Sequence, residues 1–315
     1  MATTQALGKS RTGRREDTRS RSGRRPRTSG ARWYFVLPAL ALFAFAVLYP
    51  SVQGIWYSFQ RWDGLGAGGT FDGFANYVAI FTDPASSVWI RNTLVIAALV
   101  TVLQIGIGLL LALGVHRRIK SRHVLRLVFF APVLIVSVVV AFVWQYIFSP
   151  AGPLNSLLDA VGLGILKQNW LGDPTIAIGC IVTVIVWQFA GYSMVIFLAG
   201  LESVPVELEE AAQLDGAGVW QRFVTVTVPA LWPATTTNLM LALIHGLTVF
   251  DVIWVMTQGG PAGQTDSVAT TLYRTAFAYG DIGKATAMGV AFAVLVGVIS
   301  FVQYRYLNRQ SRRAS

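Results

Sequence analysis

The segment that decides the fold is polar and lies between two long apolar stretches; it reads Glu209-Glu210-Ala211-Ala212-Gln213-Leu214-Asp215-Gly216-Ala217. Pro205 and the acids after it suit the first turn of a helix, where the positive end of the helix dipole favours carboxylates. Gly216 predicts the end of that helix, because glycine adopts the left-handed conformation without steric cost. We therefore expect a helix, a turn and a second short helix within residues 203–228, called the hinge below. A solvated loop with an acidic face is the alternative that the charge pattern leaves open.

The composition places the chain in a membrane. Of its 315 residues, 54% are hydrophobic and only 13% are charged, and the mean hydropathy is +0.56. A helix needs about 20 apolar residues to cross the hydrocarbon layer. Six stretches satisfy this, so we predict an all-α integral membrane protein with six transmembrane helices within residues 33–307, near Trp33–Tyr57, Thr93–Val115, Val124–Phe148, Thr175–Leu201, Pro229–Met256 and Ala285–Leu307.

The formal charge of +10 is unevenly distributed. Ten of the 25 Lys and Arg residues lie in residues 1–32, five between Arg117 and Arg126, and four after Tyr304. Connections rich and poor in positive charge thus alternate, which predicts that both termini are cytoplasmic. Residues 1–32 have almost no large apolar side chains and are expected to be a disordered basic tail near membrane lipid, with no nucleic-acid partner. Residues 308–315 are expected to form a second cytoplasmic tail.

No constellation of residues in the sequence predicts catalysis. We find no phosphate-binding loop, no metal-ligand cluster and no nucleophile beside a base, so we expect no catalytic residue, no metal and no cofactor in this chain. The single cysteine, Cys180, lies in an apolar stretch and is interpreted as a packing residue.

Several polar side chains interrupt the apolar stretches and are candidates for a solute pathway: Gln188, Tyr192, Asn238, His245 and Asp251. Hydroxyl-rich solutes need hydrogen-bond partners, and their ring faces need aromatic side chains. Interhelical hydrogen bonding is the alternative for the first four. Asp251 falls near the end of its stretch, where water or a helix cap can satisfy the carboxylate.

Three stretches of sequence resemble a known family. The hinge, with Glu210-Ala211-Ala212, Asp215-Gly216-Ala217, Phe223 and Pro229, resembles the EAA motif of binding-protein-dependent ABC importer permeases. The stretch from Phe250 to Pro261 looks like the end of helix five in sugar-importer permeases of the maltose and glycerol-phosphate type. The loop after the first stretch is similar to that branch at Asn76-Tyr77, Phe81, Asp83-Pro84 and Asn92-Thr93. A departure is Glu209, where such permeases often carry an aromatic residue.

The resemblance implies a type I ABC importer permease fold in a bacterial inner membrane. The implied function is to form half of a solute pathway, with a sugar or sugar derivative as cargo. The implied partners are a second related permease, a cytoplasmic ATPase dimer that binds ATP and Mg, and an extracytoplasmic solute-binding protein. The residues that would couple to the ATPase are Glu210, Ala211, Ala212, Asp215, Gly216 and Ala217.

Other classes of membrane protein remain open at this point. A secondary carrier or a channel would work without ATP and would not need the hinge. A membrane enzyme would need clustered catalytic groups, and His116, His123 and His245 are not spaced as one. A bare assembly scaffold would not be required for the uptake of any solute.

Overall fold

The computed structural model describes residues 33–66, 68–116 and 121–314, so the predicted tail 1–32 lies outside the described residues. The chain divides into two units, residues 1–50 and 51–315. In the first unit a short 3-10 helix precedes α1, and a π-helix follows it, the bounds being Trp33–Phe35, Leu37–Phe43 and Ala44–Leu48. Every side chain described from 34 to 50 is exposed. Helix α2 (Tyr49–Tyr57) completes a helical stretch long and apolar enough to cross a membrane.

The second unit continues with a small hairpin in which β1 (Gln60–Arg61) pairs antiparallel with β2 (Thr70–Phe71). Helix α3 (Ala75–Thr82) follows, and its Asn76 donates hydrogen bonds to the carbonyls of Ser58 and Gln60 at 3.0 and 2.8 Å. Helix α4 spans Ser86–His116.

Helix α4 starts earlier than predicted, since the sequence placed Asn92 in the preceding loop and Thr93 at the beginning of the span. Both residues lie inside the helix. The Asn92 amide donates to the backbone carbonyls of Gln264 and Asp266, and the Thr93 hydroxyl accepts from the Val268 amide. These two polar side chains therefore hold a distant loop and do not begin a helix.

The predicted third span is broken. Helix α5 (Arg122–Phe130) and a 3-10 turn (Ala131–Leu134) are separated from α6 (Ser137–Ile147) by extended backbone, and the two parts meet at 97°. Pro132 lies in the 3-10 turn and has no N–H to donate, which weakens the helical ladder before the break. The prediction of one continuous helix over Val124–Phe148 was therefore wrong.

Helix α7 (Pro153–Ala160) and a 3-10 turn (Gly164–Leu166) fold the connection to α8, which spans Pro174–Glu202. Asn155 secures this connection, since its amide donates to the carbonyls of Pro150 and Gln168 and its oxygen accepts from Trp170.

After the hinge, α12 (Trp232–Thr248) and α13 (Asp251–Met256) replace the predicted single helix five, with a break at Val249–Phe250. Helix α14 (Val268–Phe277) and helix α15 (Ile282–Ala314) complete the chain. The backbone of α15 continues through residues 308–314, which the sequence analysis assigned to a tail.

Helix α8 is the centre of the core. It packs most extensively against α4. In its most apolar 18-residue segment 67% of the residues are buried, whereas in the corresponding segment of α15 17% are buried. One end of α8 contributes Ile181 and Ile185 to a cluster with α4, α6 and α13, and the other end contributes Met194 and Phe197 to a second cluster. Cys180 is buried in the first cluster, as its interpretation as a packing residue requires.

Within the described residues, five helical segments are long and apolar enough to cross a membrane, and the bent α5–α6 pair makes a sixth only if it counts as one span. The all-helical membrane class is confirmed. The count of six is not, and the cytoplasmic position of both termini stays a prediction.

Gly191 on α8 allows the bent segment to approach. A Cβ at this position would lie 1.8 Å from the carbonyl oxygen of Phe129, whereas a Cβ at Gly179 on the same helix meets nothing within 4 Å. We expect Gly191→Ala to lower the free energy of unfolding by about 1–3 kcal/mol, because backbone atoms must move. Gly179→Ala is the matched control and should be neutral or stabilising. Thermal unfolding of the purified variants in one detergent measures both, and equal midpoints would contradict the packing described here.

Candidate functional site

The hinge begins where α8 ends. Helix α9 (Val206–Leu214) starts after Pro205 and carries Glu207 and Glu209 in its first turn, where the helix dipole favours negative charge. Pro205 therefore precedes the helix and does not lie in its first turn, one residue from the expected position.

A glycine ends α9, as the sequence predicts. Gly216 has φ of +80°, and the amides of Gly216 and Ala217 donate to the carbonyls of Gln213 and Ala212 at 3.1 and 3.0 Å. This pair of bonds is the Schellman motif, which satisfies carbonyls that the end of a helix leaves free. Helix α10 (Val219–Arg222) follows, and a π-helix (Phe223–Thr227) and α11 (Val228–Ala230) lead to α12. The expected helix–turn–helix is confirmed.

The hinge exposes both apolar and acidic side chains. Leu214 is 88% exposed and Trp220 is 76% exposed, and Val206, Leu208 and Val219 are exposed as well. Glu210 is exposed beside them. Exposed apolar side chains grouped among acids are typical of a protein-docking surface. Of the other predicted coupling residues, Ala211, Asp215 and Gly216 are exposed, and Ala212 and Ala217 are half-buried.

Two polar contacts that sequence reasoning missed fix the hinge. Arg126 on α5 forms an ion pair of 3.2 Å with Glu202, the last residue of α8. Arg222 donates to the Gln213 side chain at 3.2 Å and so joins α10 to α9. Both contacts link residues far apart in sequence or on different helices, so periodicity gives no signal for them. Exposed pairs of this kind contribute only about 0.2–1 kcal/mol each, so they orient the hinge more than they stabilise it.

Two of the predicted pathway residues are buried in hydrogen bonds between helices. Gln188 is 1% exposed, and its amide donates to the carbonyl of Ile135, at the break between α5 and α6, at 2.9 Å. Asn238, also 1% exposed, donates to the carbonyl of Ser193 at 3.4 Å. Sequence reasoning missed Gln104, whose amide donates to the Ser193 hydroxyl at 2.9 Å. Its only signal is an amide side chain inside a strongly apolar helix.

The other three pathway candidates are more accessible. Tyr192 is 38% exposed on α8. The His245 ring packs on Phe189 at 4.2 Å between centroids. Asp251 is exposed as the first residue of α13 and lies near enough to His245 to interact with it electrostatically. The structure thus separates the five candidates into a buried pair and a partly open group.

Within the part of the chain that the structure describes, no group of three or more His, Cys, Asp or Glu side chains is placed to hold a metal ion.

A model of one protein family, the binding-protein-dependent transport system inner membrane component, matches residues 104–313. The chain belongs to this family. The match covers α8, the whole hinge and α12 to α15, so the resemblance drawn from the EAA motif is confirmed.

Individual relatives of this transport family agree. A probable ABC transporter permease protein of Pyrococcus horikoshii is 34% identical over 88% of this chain and 96% of its own length. The probable starch degradation products transport system permease protein AmyD of Thermoanaerobacterium thermosulfurigenes is 34% identical over 88% of this chain and 94% of its own. In the crystal structure of a bacterial alginate ABC transporter in complex with an alginate pentasaccharide-bound periplasmic protein, one chain is 26% identical. It superposes with a TM-score of 0.77 over 89% of this chain and 94% of that chain.

The relatives are transport components, so this family member is a permease subunit of an ABC importer and not an enzyme. It is a multi-pass membrane protein.

The left-handed turn of the hinge can be tested with two glycines. We expect Gly216→Val to strain the turn by about 1–2 kcal/mol, because φ of +80° disfavours a side chain, and to speed hydrogen exchange of the Gly216–Ala217 amides roughly 5–30-fold. Gly218 has φ of −66° and open space around it, so Gly218→Val is the matched control. Exchange measured by mass spectrometry on the purified chain checks this, and equal exchange in both variants would refute the assigned turn.

Proposed function

We propose that the hinge is the segment through which a cytoplasmic ATPase drives this permease. The observation that carries the proposal is that α9, with its exposed acidic and apolar surface, directly follows the most buried span, α8, with only Ser203 to Pro205 between them. A force on α9 therefore reaches the centre of the core over a short, hydrogen-bonded connection. Glu210 would be the principal acidic contact, and Gly216 would set the bend.

The energy for transport would come from ATP and Mg bound by the partner ATPase dimer. Closure of that dimer would bring the hinge of this chain and the hinge of a second, related permease together and tilt both bundles from inward-facing to outward-facing. A solute-binding protein would then release solute into the space between the permeases. The hinge would lie on the cytoplasmic side of the membrane, and the description of the family as an inner membrane component supports the inner membrane as its location.

The proposed cargo is a sugar or sugar derivative. In support, the name of AmyD refers to starch degradation products and the solved relative is an alginate transporter. Tyr192, His245 and Asp251 offer an aromatic ring and polar groups for hydroxyl-rich solute on the partly open surface of α8, α12 and α13. Gln188 and Asn238 would support that surface from within, since both are engaged between helices.

The proposal predicts different effects for two neighbouring acids. Glu210→Lys should lower ATP-dependent uptake and co-purification of the ATPase by about tenfold or more, because reversing a charge at the contact leaves its partner unpaired. Glu209→Lys makes the same change in net charge one residue away and should retain most of both activities. Uptake into right-side-out vesicles or proteoliposomes that contain ATP, with the solute-binding protein outside, and the yield of ATPase bound to the tagged permease are the measurements.

Full uptake and full ATPase yield in Glu210→Lys would contradict the coupling role. Uptake by the wild-type complex in vesicles without nucleotide would instead favour a carrier or channel.

A further inference from the structure

Two cavities meet beside α15 and share Trp89 and Met288 in their walls. The first, called the polar mouth, has a volume of about 580 Å³ and is lined by charged and polar side chains that include Asp83, Asp281 and Lys284. The second, called the apolar groove, has a volume of about 450 Å³ and is lined only by apolar side chains, among them Phe81, Ile90, Phe292, Leu295 and Val298. A polar opening thus continues directly into an apolar slot.

The apolar groove is as deep as one leaflet of a bilayer. Its wall on α15 extends from Met288 to Val298, about ten residues, which is about 15 Å at about 1.5 Å per residue. The hydrocarbon core of a bilayer is about 30 Å thick, so the groove covers about half of it. A transmembrane helix of another subunit needs about 20 residues and would extend beyond this groove. The length of the groove fits an acyl chain instead.

The polar mouth offers both signs of charge at the top of the groove. Arg274 is already engaged, by a 2.6 Å ion pair with Asp266 and a hydrogen bond to the Gln258 carbonyl. Lys284 lies 3.6 Å from Asp83, which is longer than a hydrogen bond, and its ammonium group has three donors. Asp83 and Asp281 place carboxylates in the same mouth. Lys284 thus has donors available beside the carboxylates of Asp83 and Asp281. A zwitterionic ligand complements this arrangement better than an anionic ligand does.

We propose that the polar mouth and the apolar groove together bind one zwitterionic phospholipid of the phosphatidylethanolamine type. Lys284 contacts the phosphate, Asp83 and Asp281 contact the ammonium group, and one acyl chain lies along Phe81, Phe292 and Leu295. Trp89 borders both cavities, so it would lie where the headgroup meets the chain, the depth that tryptophan favours in membrane proteins. The lipid belongs to the leaflet next to the segment between α13 and α15, which contains α14.

Lipid retention by the purified transporter complex tests this site. The complex is reconstituted in nanodiscs that contain phosphatidylethanolamine with a photoactivatable acyl chain, or phosphatidylglycerol with the same chain, and the crosslinked peptides are identified by mass spectrometry. The wild-type chain should crosslink to phosphatidylethanolamine within α15 near Phe292 and Leu295. Retention measured by native mass spectrometry should fall by about tenfold or more in Ala291→Trp, which fills the groove, and in Lys284→Glu. Val302→Trp, on the same helix outside the groove, is the matched control.

Crosslinking is measured on the wild-type chain, so it tests the site even if one of the variants fails to fold. Crosslinks spread evenly over exposed α15 residues, or equal retention in Ala291→Trp and Val302→Trp, would overturn the proposal. So would preferential crosslinking of phosphatidylglycerol, which would show that the mouth selects an anion. Crosslinks from a photoreactive residue at Leu295 to a second permease subunit, in place of lipid, would also overturn it.

Discussion

Backbone groups inside a bilayer must find hydrogen-bond partners within the protein, because the hydrocarbon offers none. The bent α5–α6 pair is interrupted by extended backbone, and helix α8 supplies a hydrogen-bond partner at this interruption. Gln188 supplies a donor to the Ile135 carbonyl at the break, and Gly191 leaves room for the backbone of Phe129 to pass. An unsatisfied carbonyl in this place would cost about 1–3 kcal/mol, so the bend depends on α8 for its stability.

The same helix gives the hinge its mechanical position. Residues of α8 lie in both of the large apolar clusters, and the chain leaves α8 directly into α9. The Arg126–Glu202 ion pair sits at that exit and connects it to α5. Under the proposed function, a movement of the hinge would reach the bent pair through α8 by two routes, the backbone and the core packing. The exposed surface of the hinge is therefore connected over a short distance to the buried surface of α8.

Local patterns in the sequence predicted the local features. Apolar length located four of the spans within about four residues, although α4 begins seven residues before the predicted start and the third span is broken. Gly216 identified the turn because few other residues adopt φ of +80°. The helix breaks at Ile135 and at Val249 were not predicted, because an apolar stretch has the same composition whether its helix is straight or bent. The partners of Asn92, Gln104 and Gln188 could not be predicted, because they lie far away in sequence and only the fold brings them together. For the hinge, the sequence predicted the helix and its turn, while the ion pair between Arg126 and Glu202 required the structure.

In the proposed assembly the hinge faces the cytoplasm and is covered there by an ATPase. Leu214 is the most exposed large apolar side chain of the hinge, and Cys180 is the only cysteine of the chain. A Leu214→Cys, Cys180→Ala chain can therefore be labelled with a membrane-impermeant maleimide in right-side-out and inside-out vesicles. The account predicts labelling in inside-out vesicles alone, with protection when the ATPase is bound. Labelling of right-side-out vesicles, or no protection by the ATPase, would contradict it.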